Sequence, residues 1–246
     1  MIKKIKAFTL SEVLIALATI GVVASLVLPQ LITGHKAATA KAQFNTAYAM
    51  LAKNAADLEA DSKSFGITDI QNPENIYNKL KEYNRVVIDC GLGTPSNDSV
   101  CYKNGVNTTK QTRKALGNNN TAINDEITGS FVTNNGMAIM IGSSNEDFKL
   151  PNTEIPSPLI VVDINGKDKR PNQFGYDLFA FQISLKGDIT PVGSKDSFLF
   201  DKEIANYCCS QAVNPGCAAD GSLNGISCAL YAATDEEFFQ KIYKGF

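Results

Sequence analysis

Across its 246 residues the chain has no tryptophan and a single histidine, His35. One imidazole leaves no histidine cluster to hold a transition metal and no general base for a nucleophile far from position 35. An excess of positive charge is lacking as well. The net charge is −2 and no five like charges run together, so the basic face that nucleic acid requires is missing. No Gly-x-Ser-x-Gly, phosphate loop or His-Glu-x-x-His occurs. An enzyme is not expected. The six cysteines, Cys90, Cys101, Cys208, Cys209, Cys217 and Cys228, include no pair separated by two to four residues, the spacing typical of structural zinc.

What is present begins with grease. From Phe8 to Gly34 the only formal charge is Glu12. As a helix this run is about 40 Å long, against a bilayer hydrocarbon core of about 30 Å. Lys3, Lys4 and Lys6 precede it. The positive-inside rule keeps that end cytoplasmic and sends everything after Gly34 outward. An even cysteine count behind such a segment points to an oxidising compartment and disulfides. Cys90–Cys101 is the local pair. Bridging adjacent cysteines strains the backbone, so Cys208 and Cys209 bond to Cys217 and Cys228 in an order left open.

Three readings of the N-terminus compete. A secretory signal peptide would use Ala38-Thr39-Ala40 as its cleavage site, but the apolar run is long for one. A plain signal anchor fits the length and leaves Glu12 unexplained. A carboxylate deep in a bilayer costs about 3 kcal/mol even on lenient insertion scales, so its default reading is functional.

The third reading is a resemblance. The stretch KAFTLSEVLIALATIGVVASLVLPQ, residues 6–30, resembles the N-terminus of bacterial type IV pilins and type II secretion pseudopilins. The resemblance implies a leader, residues 1–7, cut between Ala7 and Phe8 by a prepilin peptidase, with N-methylation of Phe8. Ala7 stands where glycine is usual and is similarly small. Phe8, Thr9, Leu10 and Glu12 match the Phe-Thr-Leu-x-Glu motif, and Pro29 falls at the usual helix-breaking proline. Cleavage would free an amine at Phe8, four residues from Glu12, within one helix or between neighbouring copies. Such a pair fixes register more than it adds stability, because an unpaired buried charge is heavily penalised. Thr9, Glu12 and Pro29 are thus the assembly residues. Pro29 has no N–H for the carbonyl of Ser25, and the resemblance implies that the segment between Gly21 and Pro29 can kink or melt on leaving the bilayer.

The remaining chain predicts an α+β protein: a long N-terminal helix, membrane-spanning in its first half, packed on an antiparallel sheet, with a disulfide-bounded C-terminal region. The expected divisions are 8–34 for the transmembrane or filament-core helix, 35–65 for an amphipathic helix, and 66–246 for the head. Phe44, Tyr48, Leu51, Ala55 and Leu58 form one apolar stripe at helical spacing. Asn72 and Pro73 open a short helix with Ile76, Leu80 and Tyr83 on one face. Residues 85–89 and 159–162 read as strands, and 129–142 as a hairpin through Asn134-Asn135-Gly136. Phe179, Phe181, Ile183 and Leu185 alternate with Leu178, Ala180, Gln182 and Ser184, so the aromatic face is expected inside. Residues 91–124 read as loop and 201–208 as a helical turn. Thr234 and Glu237 form a capping box for a last helix carrying Phe238, Phe239, Ile242 and Tyr243.

Residues 163–177 also resemble pilin-like heads, through Asp163, Asn165, Gly166, Pro171, Asn172, Gly175 and Asp177. Some pseudopilins bind calcium in such a loop, which makes Asp163, Asn165, Asp168 and Asp177 calcium candidates. The EF-type pattern fails, since Phe174 occupies its twelfth position and Lys167, Lys169 and Arg170 oppose a cation. A turn in which Asp and Asn accept backbone N–H groups is the preferred reading, and no cofactor is expected.

The expected function is a pilin-like subunit inserted in the inner membrane with its head outside. Its partners would be other pilin-like subunits, the prepilin peptidase/methylase and an inner-membrane assembly platform, with nucleic acid only in a DNA-uptake role. The alternative is a membrane-anchored or secreted binding protein that never polymerises.

Overall fold

The structure, a computed structural model, describes residues 9–61, 72–93, 101–102, 116, 127–142, 150, 156–184, 187–197, 209 and 225–244. Helix α1 runs without a break over Leu10–Asp61, about 78 Å of axis, and passes through Pro29. Its two halves live in different surroundings. None of residues 10–36 is buried, and thirteen large apolar side chains from Leu10 to Ile32 stand exposed around the whole helix. From Ala37 onward a stripe sinks into the head: Ala37, Ala40, Phe44, Ala47, Leu51, Asn54, Ala55 and Leu58. Four of the five stripe residues read from the sequence are in it. Tyr48 stands at its edge, half-buried.

The sheet has six antiparallel strands in sequence order: β1 (Val86–Leu92), β2 (Ile127–Thr133), β3 (Ala138–Gly142), β4 (Leu159–Asp163), β5 (Leu178–Ile183) and β6 (Ile189–Pro191). β2 and β3 form the expected hairpin, with Gly136 at φ 82°, where a side chain would be strained. One face carries Phe131, Ile139, Ile141, Ile160, Val162, Phe179, Phe181 and Ile183 against α1 and the smaller helices. The other face is covered too. Ala138, Met140, Leu159, Val161, Leu178 and Ala180 pack there with Tyr102, Phe174, Val192 and Ile226. The aromatic face of β5 is inside as expected, but Gln182 is also buried, donating to the Ser157 carbonyl at 3.0 Å.

Helix α2 (Pro73–Tyr83) begins as read, with the Asn72 side chain accepting from the Glu74 and Asn75 amides. It buries Ile76, Leu80 and also Tyr77. The C-terminal region differs from expectation. A helix α3 (Cys228–Thr234) precedes α4 (Phe238–Lys244), and Thr234 closes the former instead of opening the latter. Its hydroxyl turns back to the Leu230 carbonyl at 2.8 Å. Asp235 does the capping, accepting from the Glu237 amide at 2.9 Å and pairing with Lys241 at 2.8 Å. Phe238, Phe239 and Ile242 are buried as expected. Cys90 bonds to Cys101, and Cys209 to Cys228, whose Cα atoms lie 5.8 and 4.5 Å apart. Cys208, Cys217 and the segment 201–208 lie outside the described residues, as does most of 91–124.

Candidate functional site

The N-terminal site starts at Thr9. Its backbone N–H donates to Glu12 Oε2 at 2.8 Å, and its hydroxyl donates to the same oxygen at 2.8 Å. In return the Glu12 amide lies 3.3 Å from the Thr9 hydroxyl. This is a capping box, in which an N-cap hydroxyl and an N3 carboxylate satisfy each other's orphan amides. The pattern Thr-x-x-Glu is visible in the sequence and supplies Glu12 with a local role that the apolar context had hidden. Ala7 and Phe8 lie outside the described residues.

Downstream, the helix continues through Pro29. Ser25 sends its hydroxyl to the Val22 carbonyl at 2.8 Å, and Thr33 sends its own to the Pro29 carbonyl at 2.9 Å. Both hydroxyls satisfy themselves on the helix backbone, at carbonyls other than that of Ser25, which Pro29 deprives of its amide donor. Gly21 and Gly34 have open space where a Cβ would stand. α1 is the one helix among the described residues long and apolar enough to cross a membrane.

The second group of candidate residues is the loop between β4 and β5. Asp163 Oδ1 accepts the Asn165 and Gly166 amides at 3.1 and 2.9 Å, and Oδ2 accepts the Tyr102 hydroxyl at 2.6 Å. Asp177 Oδ1 accepts the Gln173 amide at 2.6 Å. Its Oδ2 accepts the Asn172 amide at 2.8 Å and the Asn165 side-chain nitrogen at 3.3 Å. The loop therefore brings Asp163, Asn165 and Asp177 together around backbone donors, as the turn reading expects. Asp168 is exposed. Among the described residues no group of three or more His, Cys, Asp or Glu is placed to hold a metal.

Burial raises the Asp163 carboxyl to about 6, against the pull of Tyr102 and the two amides. Burial also raises Asp177 to about 7, and the neighbouring Asp163 charge adds to it. Lys167, read from the sequence as a charge opposing a cation, is instead buried and donates to the Cys101 carbonyl. Tyr102 and Lys167 thus fasten the disulfide-bonded end of the Cys90–Cys101 loop onto the Asp163 turn. No local sequence signal links residues so far apart in the chain. Gly166, at φ 85°, presses its α-carbon toward the Gly136 carbonyl, leaving 2.6 Å where a Cβ would sit. The two turns are packed back to back.

Comparisons with protein-family models, with curated proteins and with solved structures gave no match.

Proposed function

We propose that this chain is a pilin-like structural subunit of a type II secretion pseudopilus or a type IV pilus, without enzymatic activity of its own. In this reading the leader is removed after Ala7, Phe8 is N-methylated by the prepilin peptidase/methylase, and the N-terminal helix carries assembly on an inner-membrane platform. The head sits outside the inner membrane. The observation that supports it most is the division of α1. One continuous helix is bare and apolar over residues 10–36, then built into the head from Ala37. A bare apolar half needs lipid before assembly and other apolar helices afterwards. Two disulfides in the head fit an oxidising compartment.

The intact mass of mature protein tests this reading. Loss of residues 1–7 with one added methyl group supports it, whereas cleavage near Ala40 or an untrimmed start overturns it.

The capping box favours a second reading, a membrane-anchored binding protein that does not polymerise. Glu12 bonded to Thr9 already has a use at the start of an ordinary anchor helix. Separating the two readings requires a substitution that keeps the cap and removes the charge.

A further inference from the structure

Where the bare half of α1 ends, the helix meets the loop after β4 in a cleft of about 550 Å³. His35, Lys36 and Thr39 line it from α1, and Asn165, Lys169 and Arg170 from the loop. Lys36, Lys169 and Arg170 are exposed, and among the described residues their side chains make no hydrogen bond or ion pair. Three cations without a hydrogen-bonded or ion-paired partner in one concavity attract an anion. Of the acids beside them, Asp163 feels the Lys169 charge but, like Asp177, is buried with its oxygens bonded to donors, and Asp168 does not line the cleft. Asn165 on the same wall adds no ligand contact of its own, since its Oδ1 is fully enclosed and its amide nitrogen is held by Asp177.

Position on the helix narrows the source. Lys36 follows Glu12 by 24 residues, about 36 Å of helix, just past the roughly 30 Å of a bilayer core. In a membrane-spanning α1 the cleft opens at the headgroups of the outward leaflet. We infer that this cleft binds the phosphodiester of an anionic phospholipid without an ammonium headgroup, the phosphatidylglycerol class. An ammonium headgroup cancels the lipid's net charge and faces repulsion from the same three cations. The inference rests on α1 spanning the membrane and is independent of polymerisation.

The test uses the full-length protein in nanodiscs, with amine acylation at each lysine followed by mass spectrometry. Replacing phosphatidylcholine by phosphatidylglycerol should slow Lys36 and Lys169 about fivefold or more, the effect of roughly one contacting charge. Lys53, farther up α1 and exposed, serves as the control and should not change. Arg170→Gln should restore most of the labelling. Equal rates in the two lipids would overturn the inference. Protection that survives R170Q would also do so, because it would then come from surface potential alone. Equal protection by millimolar inorganic phosphate in phosphatidylcholine discs would assign a free-phosphate site and overturn the lipid source. Carbonate extraction of cell membranes separates the premises: release defeats the membrane-spanning reading, while retention with lipid-insensitive labelling defeats only the cleft.

Discussion

Phe44 of α1 meets Phe179 of β5 edge to face, with ring centroids 4.8 Å apart, and neither residue is exposed. Phe181 and Phe239 complete the surroundings of Phe44 at 6.2 and 5.8 Å. Aromatic pairs at such distances add to the burial of their area. This cluster lies just above the point where the helix leaves its bare half, so it carries the coupling between stalk and head. Phe44→Ala should cost about 3–5 kcal/mol, the usual toll for emptying an aromatic core site. Urea unfolding of the protein in detergent, followed at the head, measures it. A loss below about 1 kcal/mol would mean that the helix does not seat there.

Glu12 has two candidate uses, and two substitutions part them. Gln at an N3 position still accepts from the N-cap amide, so Glu12→Gln keeps the Thr9 box but cannot pair with an amine by charge. Glu12→Ala loses both. If the subunit reading holds, both variants insert in the membrane and neither assembles. If the chain is an anchor only, both retain function, and E12A shows at most about 1 kcal/mol of weakened helix start. Shearing or cross-linking assays for filaments alongside membrane fractionation give the answer.

The Asp163–Asp177 pair makes stability depend on pH. Folded, the two carboxyls titrate near 6 and near 7, against 3.8 for an ordinary Asp. A folded state that binds protons more tightly than the unfolded one loses stability as pH rises. Their contribution is therefore fully present below about pH 3.8 and is lost as pH rises through 6 to 7. Asp163→Asn keeps an acceptor for the two amides and offers its nitrogen to the Tyr102 hydroxyl. It removes one titration and the charge that helps raise Asp177. The slope of unfolding free energy between pH 4 and 7 should flatten by about 2–3 kcal/mol in total. An unchanged slope in D163N would show that the pair ionises as ordinary surface acids do.

Removing the Cys209–Cys228 bridge should destabilise the C-terminal helices most. Cys228 starts α3, and its sulfur lies 2.8 Å from where a Cβ on Gly175 would stand, so the bridge packs against the Asp177 loop. Its ends are 19 positions apart, and closing a loop of that size is worth about 3 kcal/mol. The double change Cys209→Ser with Cys228→Ser should lower unfolding free energy by about 2–4 kcal/mol. Amide exchange should show α3 and α4 opening first.

Gly129 of β2 lies against the Tyr77 ring of α2. A Cβ there would come within 2.7 Å of the Tyr77 ring. Tyr77 cannot easily retreat, since its hydroxyl bonds the Asp89 carboxylate that Lys81 also holds at 2.7 Å. Gly129→Ala should cost about 1–3 kcal/mol by overpacking. Thermal unfolding beside Gly136→Ala distinguishes contact from backbone strain, because a Cβ on Gly136 would meet nothing within 4 Å and only its φ is at stake.

Local patterns in the sequence determined the elements whose cause is local. The stripe from Phe44 to Leu58, the Asn72–Pro73 cap, the Asn-Gly hairpin and the Asp163–Gly166 turn each follow from spacing or from one residue's conformational preference. The apolar run and its lone carboxylate were likewise plain, whereas the capping role of Thr9 and Glu12, though spelled by a Thr-x-x-Glu pattern, emerged only from their hydrogen bonds. Tertiary structure alone decided what depends on distant partners. It buried both faces of β5, chose Cys228 as the partner of Cys209, and moved the cap of α4 from Thr234 to Asp235. It also brought Lys167 under the Cys101 carbonyl and set Lys36 beside Lys169 and Arg170. Periodicity reports which face of a segment is apolar. It carries no information on what the opposite face will meet once the chain closes on itself.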